Sequence, residues 1–173
     1  MNEVTESYLS RAEIWLLFTT LVYFLMNGAQ LFETLVIVPK WTVSPPESFQ
    51  LFRGKYGLDF KTFWIVIHSV HEITFLLAIL FCWKLEIRNW LLLLFAVHFA
   101  VRVWTLAYFA PNIIEFQQLA NASGAGHPTP PGADLLKRAS LWRNLNYIRV
   151  GIFIAVSLGL LPLCVHLLHQ KAN

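Results

Sequence analysis

Residues 60–83 read FKTFWIVIHSVHEITFLLAILFCW. A membrane-spanning helix needs roughly 20 consecutive, mostly apolar residues, and this stretch meets that length while carrying His68, His71 and Glu72 near its middle. Ionisable groups at membrane depth are too costly to face lipid and turn toward other helices or a water-filled cavity. The stretch therefore predicts a spanning helix that belongs to a bundle.

Three further runs have the same character: about Ile14 to Val38, Trp90 to Pro111 and Tyr147 to His166. With 57% hydrophobic and only 13% charged residues, the chain is too apolar for an ordinary soluble domain. The expected architecture is all-α: one domain, an integral membrane four-helix bundle in contact with the lipid bilayer, multi-pass, with a partly helical cap. The leader MNEVTESYLSR carries Glu3 and Glu6 against Arg11 and precedes an apolar run longer than a signal peptide's, so the first span is expected to stay in the mature protein. A net charge of +3 without any basic run excludes nucleic acid as a partner.

The connections differ in length. KLEIRN alone joins spans two and three, which makes those helices neighbours. Span one is expected to end at Pro39, followed by KWTVSPPESFQLFRGKYGLD, in which Phe49, Leu51 and Phe52 beside Arg53 and Lys55 suit a short interfacial helix. The third connection begins with the helical PNIIEFQQLAN, passes through the flexible ASGAGHPTPPG and returns through the helical ADLLKRASLWRNLN. Trp41, Trp83 and Trp90 are expected to anchor at the membrane interface. Cys82 and Cys164 lack a CxxC partner and are expected to pack in the interior. Lys and Arg are more numerous on the two long connections than on the opposite side, which by the positive-inside rule places those connections in the cytoplasm.

Every span carries one polar stripe. Tyr23, Asn27, Gln30, Glu33 and Thr34 fall within about 120° on the first helix, and Trp64, His68, His71, Glu72 and Phe75 within about 100° on the second. Span three contributes His98, Arg102 and Thr105, and span four Trp142, Asn146 and Arg149, at spacings that put each trio on one face. Measured along the helices, these residues lie toward the long connections, which predicts a polar pocket opening on that side. A lipophilic small molecule is the expected occupant.

Three chemistries fit the cluster. Glu33 and Glu72 balance Arg102 and Arg149, so two structural ion pairs would suffice; the protein would then be a non-catalytic component such as a transporter subunit or assembly partner. His68, His71 and His98 with Glu72 or Glu33 offer metal ligands, although HxxHE matches neither HExxH nor the ExxH of di-iron bundles. The third is acid/base catalysis on an apolar substrate by His71, His98 or Glu72, with Arg102 or Arg149 holding the developing anion. Asn27, Gln30, Glu33, Trp64, His68, Trp142 and Asn146 would bind the substrate. The residues favour no cofactor; a metal at the three histidines is the alternative.

Phe32, Glu33 and VIVPKW at the end of span one, YFAPN at the end of span three, and WRNLNYIR opening span four resemble a family of small four-helix membrane proteins that includes the anthrone oxygenases. The resemblance implies that Trp142, Asn146 and Arg149 match a family tryptophan, asparagine and arginine at the head of the last helix, and that Pro39 and Pro111 are helix-ending prolines. It further implies oxidation of an electron-rich aromatic by oxygen. HSVHE is outside the family pattern. His68 and Glu72, four residues apart on one helix, are also similar to a pair in sterol isomerase and sigma-2 type membrane proteins, which implies an isomerase as a second enzymatic alternative.

Overall fold

The computed structural model describes residues 5–124 and 130–172. Among them all regular structure is helical, as the apolar runs predict. We label the long helices α1 (Glu6–Thr42), α2 (Lys61–Phe81), α3 (Arg88–Gly124) and α4 (Gly132–Ala172); a short 3-10 helix, Glu47–Phe52, lies between α1 and α2. All four are long and apolar enough to cross a membrane. Residues 125–129 of the expected flexible stretch lie outside the described residues.

Three helices are longer than the apolar runs. α1 and α3 have 37 residues each and α4 has 41, whereas a hydrocarbon core of about 30 Å is crossed by about 20. The excess in α3 and α4 corresponds to the helical stretches expected in the third connection.

Pro39 and Pro111 do not end their helices, contrary to the expectation. Each follows a five-residue π-helical segment, Glu33–Ile37 in α1 and Thr105–Phe109 in α3, where the Val38 N–H donates to the Glu33 carbonyl and the Ala110 N–H to the Thr105 carbonyl. Proline removes a backbone donor and its ring strikes the carbonyl of the preceding turn. Widening that turn by one residue relieves the clash, and the helix continues beyond it.

The chain forms two compact units. The first comprises Met1–Gly28, Phe63–Ala100 and Ile152–Asn173; the second comprises Ala29–Thr62 and Val101–Gly151. In the first unit, Thr19 Oγ1 donates to the Thr74 carbonyl across 2.8 Å and joins α1 to α2. Cys82 and Cys164 are both free and buried here, with Cys164 Sγ 3.3 Å from Thr20 Oγ1. Trp83 and Trp90 are exposed.

The second unit has an aromatic core of Trp41, Phe49, Phe52, Phe109, Phe116 and Trp142. Trp41 is therefore no interfacial anchor: it is 1% exposed and lies 5.0 Å from the Trp142 ring, centroid to centroid. Phe49 and Phe52, expected at the interface, are buried beside it because the 3-10 turn folds them onto Phe116 and Trp41. Arg53 then fastens the turn to the end of α3, with Nε donating to the Ala120 carbonyl at 2.7 Å and Nη2 to Ser123 Oγ at 2.8 Å. A bidentate Arg138–Glu115 pair joins α3 to α4 on the surface of the same unit.

After that turn the chain reverses tightly. A Cβ on Gly57 would stand 2.6 Å from the Phe52 carbonyl carbon and oxygen, backbone atoms that cannot swing aside. Gly57→Ala is expected to lower stability by about 1–2 kcal/mol, the scale of overpacking a filled site. Thermal unfolding in detergent checks this; an unchanged midpoint would contradict it.

Candidate functional site: two buried polar clusters

The residues of the polar stripes fall into two groups, one in each unit. Asn27, Trp64, His68, His71, Glu72 and His98 belong to the first; Gln30, Glu33, Arg102, Trp142, Asn146 and Arg149 belong to the second. Of the five acid/base candidates, His71, His98 and Glu72 belong to the first unit and Arg102 and Arg149 to the second.

In the first unit, α1, α2 and α3 bring Tyr23, His71 and His98 together in the interior, all three fully buried. Tyr23 Oη lies 3.1 Å from His98 Nδ1, the His71 ring meets the Tyr23 ring edge-on at 4.1 Å, and the two imidazole centroids are 4.6 Å apart. Phe75, Phe95 and Phe153 surround the His98 ring. His68 stands one turn away on α2, stacked on Trp64 at 5.3 Å. Among the described residues, no three His, Cys, Asp or Glu side chains are grouped as metal ligands. Glu72 is half-buried.

Asn27, expected to bind substrate, is turned toward α4. Its Nδ2 donates to Ser157 Oγ at 2.8 Å and to the Phe153 carbonyl at 3.3 Å. Such bonds tie helices together in an apolar setting. Tyr23 was absent from the expected site although it shares the α1 stripe. Tyr23→Phe is expected to cost about 1 kcal/mol, the net worth of one buried hydrogen bond. Equilibrium unfolding in mixed detergent measures it; no loss would mean that the Tyr23–His98 contact adds nothing to stability.

In the second unit residues 142–149 of α4 meet both π-helical segments. Trp142 Nε1 donates to the Phe109 carbonyl at 3.3 Å, Asn146 Nδ2 donates to Thr34 Oγ1 at 2.9 Å, and the Arg149 guanidinium carbon lies 4.5 Å over the Phe109 ring. π-helical turns often mark functional positions because they expose backbone groups and re-aim side chains. Here they supply Thr34 and Phe109, two partners that were not among the expected site residues. A phenylalanine in an apolar span carries no distinguishing signal; Thr34 stood in the stripe but beside longer side chains.

One turn from the Thr34–Asn146 bond on each helix are Gln30 and Arg149. Gln30 is 1% exposed, and neither its Nε2 nor its Oε1 has a hydrogen-bond partner among the described residues. The same holds for Asn146 Oδ1 and Arg149 Nε. Glu33 and Arg102 are within electrostatic range of the Arg149 guanidinium. Two donors and two acceptors, all buried and all unused, therefore belong to adjacent turns of α1 and α4.

These features define an all-α chain with four helices of membrane-spanning length and apolarity and a buried polar cluster in each of its two units. The chain matches no family model, no curated protein and no solved structure.

Proposed function

We propose that the chain is a multi-pass integral membrane protein that binds a lipophilic small molecule, whose polar group is received in the second unit by Gln30, Asn146 and Arg149. Lipid as the surrounding medium is supported by the outward faces of the helices, where Ile14, Leu21, Leu25, Ile65, Leu93 and Leu161 are exposed. Soluble monomers rarely present contiguous apolar surface of that kind.

The observation that carries the ligand reading is Gln30. A buried amide left without partners costs about 1–3 kcal/mol for each group, and most buried polar side-chain atoms in folded proteins are paired. A ligand bearing both an acceptor and a donor restores the missing bonds of Gln30, Asn146 and Arg149, while an apolar body suits the lipid side. Native mass spectrometry of the protein purified from membranes in mild detergent tests this. The wild type is expected to carry a small-molecule adduct that Gln30→Leu loses while remaining folded. An equally loaded Gln30→Leu protein would overturn the reading in favour of a non-catalytic membrane component.

The narrower proposal, an anthrone-oxygenase-like oxidation, follows the sequence resemblance and requires an imidazole able to take a proton. The Tyr23–His98 pair with His71 against it supports that requirement. Oxygen uptake by protein-bearing membranes supplied with an anthrone tests it. Uptake equal to that of membranes carrying His98→Phe would count against oxidation.

A further inference from the structure

We infer, resting on the ligand reading above, that the polar group received in the second unit is uncharged and brings two hydrogens of its own. The two hydroxyls of a fatty-acid monoglyceride do so, as does the NH2 group of a fatty amide. Four buried positions of the second unit have no hydrogen-bond partner among the described residues: the donors Gln30 Nε2 and Arg149 Nε, and the acceptors Gln30 Oε1 and Asn146 Oδ1. Bulk water reaches none of them. Their side chains are anchored nearby, since the 2.9 Å bond from Asn146 Nδ2 to Thr34 Oγ1 joins α4 to α1 one turn from Gln30, and the Arg149 guanidinium lies over the Phe109 ring.

The two amide oxygens decide the class, because each needs a hydrogen that only the ligand can bring. An ionised carboxylate, an ester or an ether accepts from Gln30 Nε2 and Arg149 Nε but donates nothing. It leaves both oxygens buried and unpaired, which is costly in an apolar interior. Gln30 Oε1 alone suffices to require a donor. An ammonium group fails in the opposite way: it donates but has no lone pair for the two N–H groups. A hydroxyl donates one hydrogen and offers two lone pairs, so one hydroxyl serves both N–H groups and one amide oxygen. Two hydroxyls, or one carboxamide, serve all four positions. This requirement is one of hydrogen-bond valence and is the same whatever charge the surrounding side chains carry.

Full-length protein in phosphatidylcholine nanodiscs is titrated with monopalmitoylglycerol, palmitamide, hexadecyl methyl ether and palmitate, the last at about pH 9, where the carboxylate is ionised. At least one of the first two is expected to bind roughly tenfold or more tightly than the ether, which keeps an acceptor oxygen but has no hydrogen to donate. The tighter of the two names the source, hydroxyl or amide. Palmitate is expected to bind no better than the ether. Gln30→Leu should remove most of the preference for the donor-bearing probes. Ether or palmitate binding as tightly as both donor-bearing probes overturns the uncharged donor head. If Gln30→Leu then still weakens binding, the ligand site itself survives; if Gln30→Leu changes no probe, or none binds saturably, the site fails as well.

Discussion

Trp41→Ala is expected to destabilise the protein by about 3–5 kcal/mol, the range for truncating a large buried aromatic. Trp41 touches most of the second unit's core: its ring is 5.0 Å from Trp142, 5.6 Å from Phe52, 5.6 Å from Phe116 and 6.3 Å from Phe49. These neighbours are themselves held, Trp142 by its bond to the Phe109 carbonyl and the Phe49–Phe52 turn by Arg53. They cannot collapse into the space, so most of the cavity penalty remains. Trp41→Phe fills much of the volume and should recover most of the loss. Unfolding in denaturant followed by far-ultraviolet circular dichroism measures both variants. An alanine variant as stable as the wild type would mean that Trp41 does not organise this core.

Gln30→Leu is expected to act in the opposite direction, raising the stability of ligand-free protein by about 1–3 kcal/mol. Removing a polar side chain normally strands its partner, but the Gln30 amide atoms have none among the described residues. Leucine of similar length removes an unpaid desolvation cost and adds apolar contact. Asn27→Leu, one turn away on α1, provides the control and should destabilise, because it breaks the bonds to Ser157 and the Phe153 carbonyl. Thermal unfolding of delipidated protein gives the sign of each change. Destabilisation by both substitutions would assign Gln30 to helix packing and remove the main support for a ligand there.

Gln30 and Trp41 are both cases that periodicity leaves open. Asn27 and Gln30 share one stripe, one chemical group and one level of burial, and by sequence both are substrate-binding candidates. Their difference lies across the helix interface: Asn27 meets Ser157 and a carbonyl of α4, whereas no such partner meets Gln30 among the described residues. Trp41 was legible as aromatic but not as core, because its neighbours come from the 3-10 turn, α3 and α4, far away in sequence. His71 and His98 were legible as candidates, and their proximity is real, but the stripes did not reveal that Arg102 and Arg149 belong to another compact unit.

The sequence by itself determined that this is a helical chain with four segments suited to a membrane, and which face of each segment is polar. Those properties depend on runs of apolar residues and on spacings of three and four, because a helix satisfies its backbone hydrogen bonds within its own segment. Only the tertiary structure decided that the helices continue through Pro39 and Pro111 by way of π-helical turns, to which compact unit each polar residue belongs, and which buried amide nitrogen finds an acceptor. Those outcomes depend on the atoms brought opposite one another by packing between segments far apart in the chain, and a periodicity records only the face a residue occupies, not what meets it there.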